Sequence, residues 1–166
     1  MFGGPNDQMR ISQPSWSIEI SDWQVSYPAE CVTVVPESND SAFQLSCGVN
    51  ASGTPATEVD IRPNAEGAAR MYRQDLATVV CGEFAGLTLE HVEGAHFWRR
   101  WWLYGGRAYL FVTYNCAPEV RDRDRAIVDG MLASLRLERP PNKRYVDSSV
   151  KRKVRSGRRT SSRDRR

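Results

Sequence analysis

Residues 95–115 hold the pattern that most narrowly limits how this chain can fold. Two runs dense in aromatic residues, AHFWRRWWLY and RAYLFVTYN, are separated only by Gly105 and Gly106. Two glycines between alternating apolar runs are typical of a two-residue β-hairpin turn. A phosphate-binding loop is a poor alternative, because strand patterning continues on both sides of the glycines. We therefore predict a hairpin in which Tyr104 lies opposite Arg107.

This pairing gives the hairpin two faces of different composition. One face is mostly apolar and is expected to pack on a helix. The other mixes aromatic rings with arginine, and its candidate interface residues are Trp98, Arg100, Trp102, Tyr109 and Phe111. Two interpretations of this second face stay open. It is either buried under another helix, with Arg100 paired to a carboxylate or stacked on a tryptophan, or a partly open patch with the composition of a binding hot spot.

Patterns outside the hairpin complete the predicted fold. Alternation predicts strands at 16–27, 31–35, 42–49 and 86–93. An apolar stripe at helical spacing predicts a first helix at 64–81, with Asn64 as its N-cap and Gly82 at its end. A second helix is predicted at 118–135. This order of elements predicts an α+β fold, with an antiparallel β-sheet of about six strands and two main helices packed on it.

The charge of the chain changes sign near residue 139. Residues 1–138 hold 11 Arg, no Lys and 18 acidic residues, a net charge of −7, whereas residues 139–166 hold 12 basic and 2 acidic residues, a net charge of +10. The second segment has too few apolar residues to offset the entropy lost on ordering. We therefore expect a flexible leader at 1–14, an α+β domain at 15–138 and a disordered basic tail at 139–166.

The basic tail allows two interpretations. It can bind nucleic acid or another polyanion by counterion release, through its candidate residues Lys151, Arg152, Lys153, Arg158 and Arg159. Base stacking would contribute little, since Tyr145 is its one aromatic residue. Alternatively the tail is an inert, solubilising extension.

Catalytic and metal-binding patterns are absent from the sequence. The four cysteines form no C-x-x-C pair and are expected to be reduced and mostly buried. A thiol enzyme would need Cys81 or Cys116 beside His91 or His96, and no motif favours that arrangement. We expect no cofactor, no metal and no enzymatic activity. With no secretory signal at the start of the sequence and no membrane-spanning apolar run, we expect a cytoplasmic protein.

Several features together resemble the PsbP-like superfamily. They are Trp23 followed by Tyr27 and Pro28, the strand at 43–49, the strand pair around Gly105 and Gly106, and the sequence Ser134, Leu135, Arg136. The resemblance covers roughly residues 15–138 and implies an α/β/α sandwich on an antiparallel sheet. The superfamily includes a photosystem II extrinsic subunit, a Ran-GTPase-binding protein, bacterial lipoproteins and adaptor chaperones of type VI secretion effectors. Its members mostly bind other proteins, and it brings no shared catalytic residues.

The first hypothesis is therefore a non-enzymatic protein-binding or adaptor module in the cytoplasm of a bacterium. Its aromatic and arginine face would contact another protein, or a second copy of the chain in a homodimer. The alternatives are a polyanion-associated protein that binds through its tail, and a small hydrolase or thiol enzyme.

Overall fold

The computed structural model describes residues 9–28 and 31–139. The strands are β1 (Met9–Gln13), β2 (Trp16–Ile20), β3 (Gln24–Ser26), β4 (Cys31–Val35), β5 (Ser41–Val49), β6 (Ala77–Cys81), β7 (Phe84–Glu93), β8 (His96–Gly105), β9 (Ala108–Cys116) and β10 (Arg136–Leu137). The helices are α1 (Glu58–Tyr72) and α2 (Arg125–Ala133), with a short 3₁₀ helix at Pro118–Val120. The predicted α+β class is confirmed, although the strands outnumber the predicted six.

The strands form two antiparallel sheets. The large sheet has the order β3-β4-β5-β9-β8-β7-β6, and the small one has the order β1-β2-β10. Helix α1 packs on one face of the large sheet, over β7 and β8. The small sheet and α2 cover the other face, and the main core lies between these layers. Its largest fully buried side chains include Trp101, Tyr114, Phe43, Ile18 and Leu135.

The hairpin forms where the sequence predicts it, but its predicted register is wrong by two residues. Tyr104 lies opposite Tyr109 rather than Arg107, because the residues between the paired ends are Gly106 and Arg107. Gly106 has a φ of 55°, which glycine adopts without steric cost. Side chains alternate with a period of two, so a shift of two leaves every residue on its predicted face.

The first helix begins and ends earlier than predicted. Its N-cap is Thr57, whose backbone N–H and hydroxyl both donate to Oδ2 of Asp60, at 2.7 and 3.2 Å. This arrangement resembles a capping box, in which the residue at N3 holds the N-cap backbone. The prediction of Asn64 as the N-cap is therefore wrong. The prediction of helix over 77–81 is also wrong, because these residues, ATVVC, pair with β7 as strand β6. Their β-branched side chains favour a strand.

Two further predicted boundaries are corrected. The predicted helix at 118–135 is interrupted, since a 3₁₀ turn is followed by α2 only from Arg125 onward, and Arg136–Leu137 pair with β2. The predicted leader at 1–14 is wrong for Met9–Gln13, which form β1 against β2, with Ile11 opposite Ile18. Ile11 is buried, so this strand belongs to the core. Residues 1–8 and the tail from residue 140 lie outside the described residues.

Candidate protein-binding site

Helix α1 leaves a groove of about 660 Å³ between itself and strands β8 and β9. Trp102 and Phe111 lie opposite each other on these strands and form the floor, with ring centroids 5.6 Å apart. Arg100 and Tyr109 line the same groove. The helix contributes Ile61, Asn64, Ala68, Met71 and Tyr72 to the wall. Four of the five interface residues predicted from the sequence therefore line one groove.

The position of α1 follows from contacts at its start, its middle and its end. At the start, the backbone N–H of Ala56 donates to the carbonyl of Gly106 at 2.8 Å, which fixes the helix beside the hairpin turn. In the middle, the buried residue Ala65 has a small side chain that lets the helix approach the sheet. At the end, Tyr72 contacts Arg100 of β8. The helix thus runs along the strands of the hairpin and forms one wall of the groove.

The two interpretations of the aromatic face hold for different residues. Trp102 is only 6 % exposed and packs beneath α1 with Leu87 and Leu89. Trp98 is half-buried, lies outside the groove lining and stacks under the guanidinium of Arg100, whose Cζ is 4.7 Å from its ring centroid. Tyr109, by contrast, is 39 % exposed. The aromatic face is therefore buried where α1 covers β7 and β8, and it is open on β9.

Arg100 is held at the edge of the groove by a small polar cluster. Its Nε donates to Nε2 of His91 at 2.9 Å, and its Nη2 donates to the hydroxyl of Tyr72 at 3.3 Å. The Glu93 carboxylate lies 3.8 Å from Nη2 of Arg100, so it offsets the charge of Arg100 only weakly. Burial lowers the pKa of His91 from its ordinary value, and the charge of Arg100 lowers that pKa further. His91 is therefore a neutral acceptor that orients the arginine.

The helix-facing side of the sheet continues past the groove with uncharged polar residues. Thr33, Gln44 and Ser46 lie on β4 and β5, and Gln44 donates to the Thr33 hydroxyl at 3.3 Å. The ring of Tyr109 lies across Gly48, where a Cβ would be only 2.1 Å from the ring. No helix covers this half of the sheet within the ranges 9–28 and 31–139. The helix-facing side of the sheet is therefore apolar beside α1 and polar over β4 and β5.

The cysteines and histidines do not form a catalytic pair in the described part of the chain. All four cysteines are free, and no hydrogen bond joins one to a histidine there. Burial raises the pKa of Cys81 to about 11 and also raises the pKa of Cys116. Thiols with raised pKa values are poor nucleophiles at neutral pH. No group of three or more potential metal ligands occurs among these residues either.

A buried carboxylate network on the opposite side of the sheet was not foreseen from the sequence. Asp124 accepts hydrogen bonds from the hydroxyls of Ser41 (2.8 Å) and Tyr114 (2.9 Å) and from Arg123. Arg123 also makes a two-pronged contact with Asp40. These bonds join β5, β9 and the start of α2. No local pattern signals the network, because Ser41 and Asp124 are 83 residues apart.

A second unforeseen network fixes α2 to the sheet. Alternation places Arg99 on the mostly apolar face of the hairpin, where it is 8 % exposed and lies 4.7 Å above the ring of Trp101. Its guanidinium contacts Asp129 at 2.8 Å and Glu90 at 3.0 Å. Both networks lie on the side of the large sheet away from α1, so we assign them to stability rather than to the groove.

Comparisons with solved structures define the class of fold. No protein-family model and no curated protein matches this chain significantly. The solution structure of cyanobacterial PsbP (CyanoP) from Synechocystis sp. PCC 6803 is similar, with a TM-score of 0.55 and 12 % identity over 81 % of this chain and 94 % of that protein. The chain thus has a PsbP-like fold, as the resemblance implied.

A second structure supports the same fold over a shorter part of its own length. A crystal structure from Bacteroides thetaiotaomicron VPI-5482 has a TM-score of 0.55 and 11 % identity, over 75 % of this chain and 45 % of that one. This chain therefore spans less than half of that protein.

Neither α1 nor α2 is long and apolar enough to cross a membrane.

The remaining predicted site residues are Lys151, Arg152, Lys153, Arg158 and Arg159. All five lie outside the described residues.

Proposed function

We propose that this chain is a non-enzymatic protein-binding or adaptor module of PsbP-like fold, which acts in the cytoplasm of a bacterium. The groove beside α1 would hold a segment of a partner protein. The observation that carries the proposal is the combination of a 660 Å³ groove with an aromatic floor and exposed apolar walls. This volume lies in the range of about 300–1,000 Å³ that is typical of small-molecule pockets, which is room enough for a few side chains of a partner segment.

The composition of the groove supports a protein segment as its occupant. Met71 is 72 % exposed on the helix wall, and a flexible thioether can adapt to different apolar side chains. Tyr109 offers an amphipathic ring at the rim, and Arg100 a charged donor; both residue types are enriched at interface hot spots. The floor residue Trp102 is nearly buried, so it shapes the groove more than it contacts a partner.

Affinity capture with matched variants tests this proposal. Met71→Lys and Tyr109→Glu place charges in the groove at exposed positions, so we expect both to fold and both to lose the partner. Val92→Lys is the control, because Val92 is exposed on the opposite face of the sheet. A partner identified by mass spectrometry should bind the wild type and the control, and purified protein should reproduce that pattern by calorimetry. Groove variants that retain every partner of the wild type would contradict the proposal.

Polyanion binding by the tail is the second candidate function. The +10 charge of residues 139–166 favours this function. Residues 1–138 have a net charge of −7 and would repel nucleic acid, so the tail would do the binding. Deleting 139–166 should abolish retention on a heparin column, and retention of the full chain should fall steeply as salt rises. Unchanged retention after the deletion would exclude this function. A groove-bound partner should respond weakly to salt, which separates the two candidates.

A further inference from the structure

Strand β6 forms one end of the large sheet, and its outer side pairs with no other described strand. Its five residues, ATVVC, include no charge, no proline and no glycine. Val80 is 76 % exposed, and Ala77 and Thr78 are exposed as well. An uncharged edge with β-branched residues and free backbone groups is a template for the addition of another strand.

The other sheet edges in the described part of the chain have features that protect them. Strand β3 has only three residues and is followed by Tyr27 and Pro28. Strand β10 has only two residues. Strand β1 carries Arg10, whose guanidinium pairs with Glu19 on the neighbouring strand. Short strands, proline and charged side chains are the usual means of blocking edge pairing. Strand β6 has none of these.

We propose that β6 is a self-association edge, to which a second copy of the chain adds its own β6 in antiparallel orientation. A twofold axis through Val79 would place each Val79 opposite its counterpart and Thr78 opposite Val80 of the second copy. A twofold contact uses the same surface patch on both copies, so an identical antiparallel strand is automatically complementary. With no charge on β6, the pairing brings no like charges together within the strand.

The surroundings of β6 add apolar surface to this contact. A shallow pocket of about 290 Å³, lined in part by Glu58, Val80 and Tyr104, lies between the edge and the start of α1. Val59, next to Glu58 in the first turn of α1, is 78 % exposed. Pairing would cover Val80 and bring the first turns of the two α1 helices towards each other. The apolar side chain of Val80 would thereby lose contact with water, which favours association.

The symmetry of this pairing has a consequence for the groove. A twofold axis between antiparallel edge strands is perpendicular to the sheet, so both α1 helices lie on the same side of the joined sheet. The two grooves would then open in one direction, and a partner with two binding segments could engage both with increased avidity. The dimer itself does not depend on the groove having a partner.

The size of the contact sets the expected strength of the dimer. Pairing along a five-residue strand buries less surface than the roughly 800 Å² per partner of a standard interface. We therefore expect a reversible dimer with a dissociation constant in the micromolar range, on the order of 10–100 µM. Such an equilibrium is visible by sedimentation of the full chain between about 5 and about 500 µM.

Sedimentation of the wild type and three variants tests the proposal. Val80→Lys and Thr78→Lys each put charges on the paired edge, so we expect each to weaken the dimer by at least about tenfold. Val49→Lys is the control, since Val49 is 44 % exposed on β5, in the interior of the sheet, and it should leave the dimer intact. Circular dichroism checks that each variant is folded. If one edge variant does not fold, the other still tests the proposal.

Two outcomes would overturn the proposal. One is a wild-type chain that remains monomeric up to the highest concentration. The other is a dimer that both folded edge variants form as tightly as the control does, which would place the contact elsewhere. Neither outcome bears on capture of a partner by the groove, which is tested separately with Met71→Lys.

Discussion

The ring of Tyr72 stacks on the ring of His91, with centroids 3.6 Å apart and an interplanar angle of 15°. This contact joins the last turn of α1 to strand β7. His91 is 4 % exposed, and its Nε2 accepts a hydrogen bond from Arg100. Its other ring nitrogen, Nδ1, has no partner among the described residues. The helix wall of the groove is therefore held by a histidine that must remain neutral.

The free energy of unfolding should fall when the pH is lowered from about 7.5 to about 5.5. Burial and the charge of Arg100 lower the pKa of His91 below its ordinary value of 6.5. In the unfolded chain the histidine recovers that ordinary value, so it binds a proton more readily than in the folded chain. Acidification therefore favours unfolding, and the stability is lost as the pH falls below the ordinary pKa of histidine. Urea denaturation at the two pH values measures this loss.

The variants His91→Gln and His96→Gln form a matched pair for this measurement, since the sequence has only these two histidines. His91→Gln should remove most of the loss, because glutamine does not titrate. His96 is exposed, so His96→Gln should keep the loss. Equal pH dependence in the wild type and both variants would show that His91 is not the group responsible.

Trp102→Ala should lower the free energy of unfolding by about 3–5 kcal/mol. The indole is almost fully buried beneath α1, against Ile61, Leu87 and Leu89, and its removal leaves a cavity there. Tyr109→Ala, at the exposed rim, should cost no more than about 1 kcal/mol. Chemical denaturation of both variants decides the matter. Equal losses of stability in the two variants would show that the indole of Trp102 is not packed beneath α1.

Tyr114→Phe should cost about 2 kcal/mol of stability. The Tyr114 hydroxyl donates to Asp124 at 2.9 Å, and Asp124 is buried, so the variant leaves a buried carboxylate with one donor fewer. Burial raises the pKa of Tyr114, which keeps the hydroxyl protonated as a donor. Tyr109→Phe, at an exposed site, is the control and should be nearly neutral. A Tyr114→Phe variant that is as stable as the wild type in both thermal and urea unfolding would refute this role.

Two glycine substitutions should have opposite effects. Gly82 has a φ of 58°, and a Cβ there would lie 2.0 Å from the carbonyl oxygen of Leu135. Gly82→Ala should therefore cost at least about 2 kcal/mol. Gly130 lies inside α2, and a Cβ there would meet no atom within 4 Å. Gly130→Ala should stabilise the protein by up to about 1 kcal/mol. Melting temperatures that move in the same direction for both would contradict these local geometries.

The strands were predicted well because strand patterns are local. Strand β4 was predicted with its observed bounds, and β5 and β7 nearly so, since alternation and turn residues specify them without reference to the rest of the fold. The sequence pattern favours a helix over residues 77–81, because Val79 and Val80 continue the apolar stripe of the first helix. Only pairing with β7 decides that they form an edge strand.

The sequence by itself determined which residues share a face of the hairpin, because side-chain alternation has a period of two whatever the register. It also determined the opposite charges of the domain and the tail. The tertiary structure decided what covers each face. Helix α1 lies over β7 and β8 and stops short of β9, which buries Trp102 and leaves Tyr109 at the rim of a groove. The networks of Asp124 and Arg99 likewise depend on residues distant in sequence, and only packing brings them together.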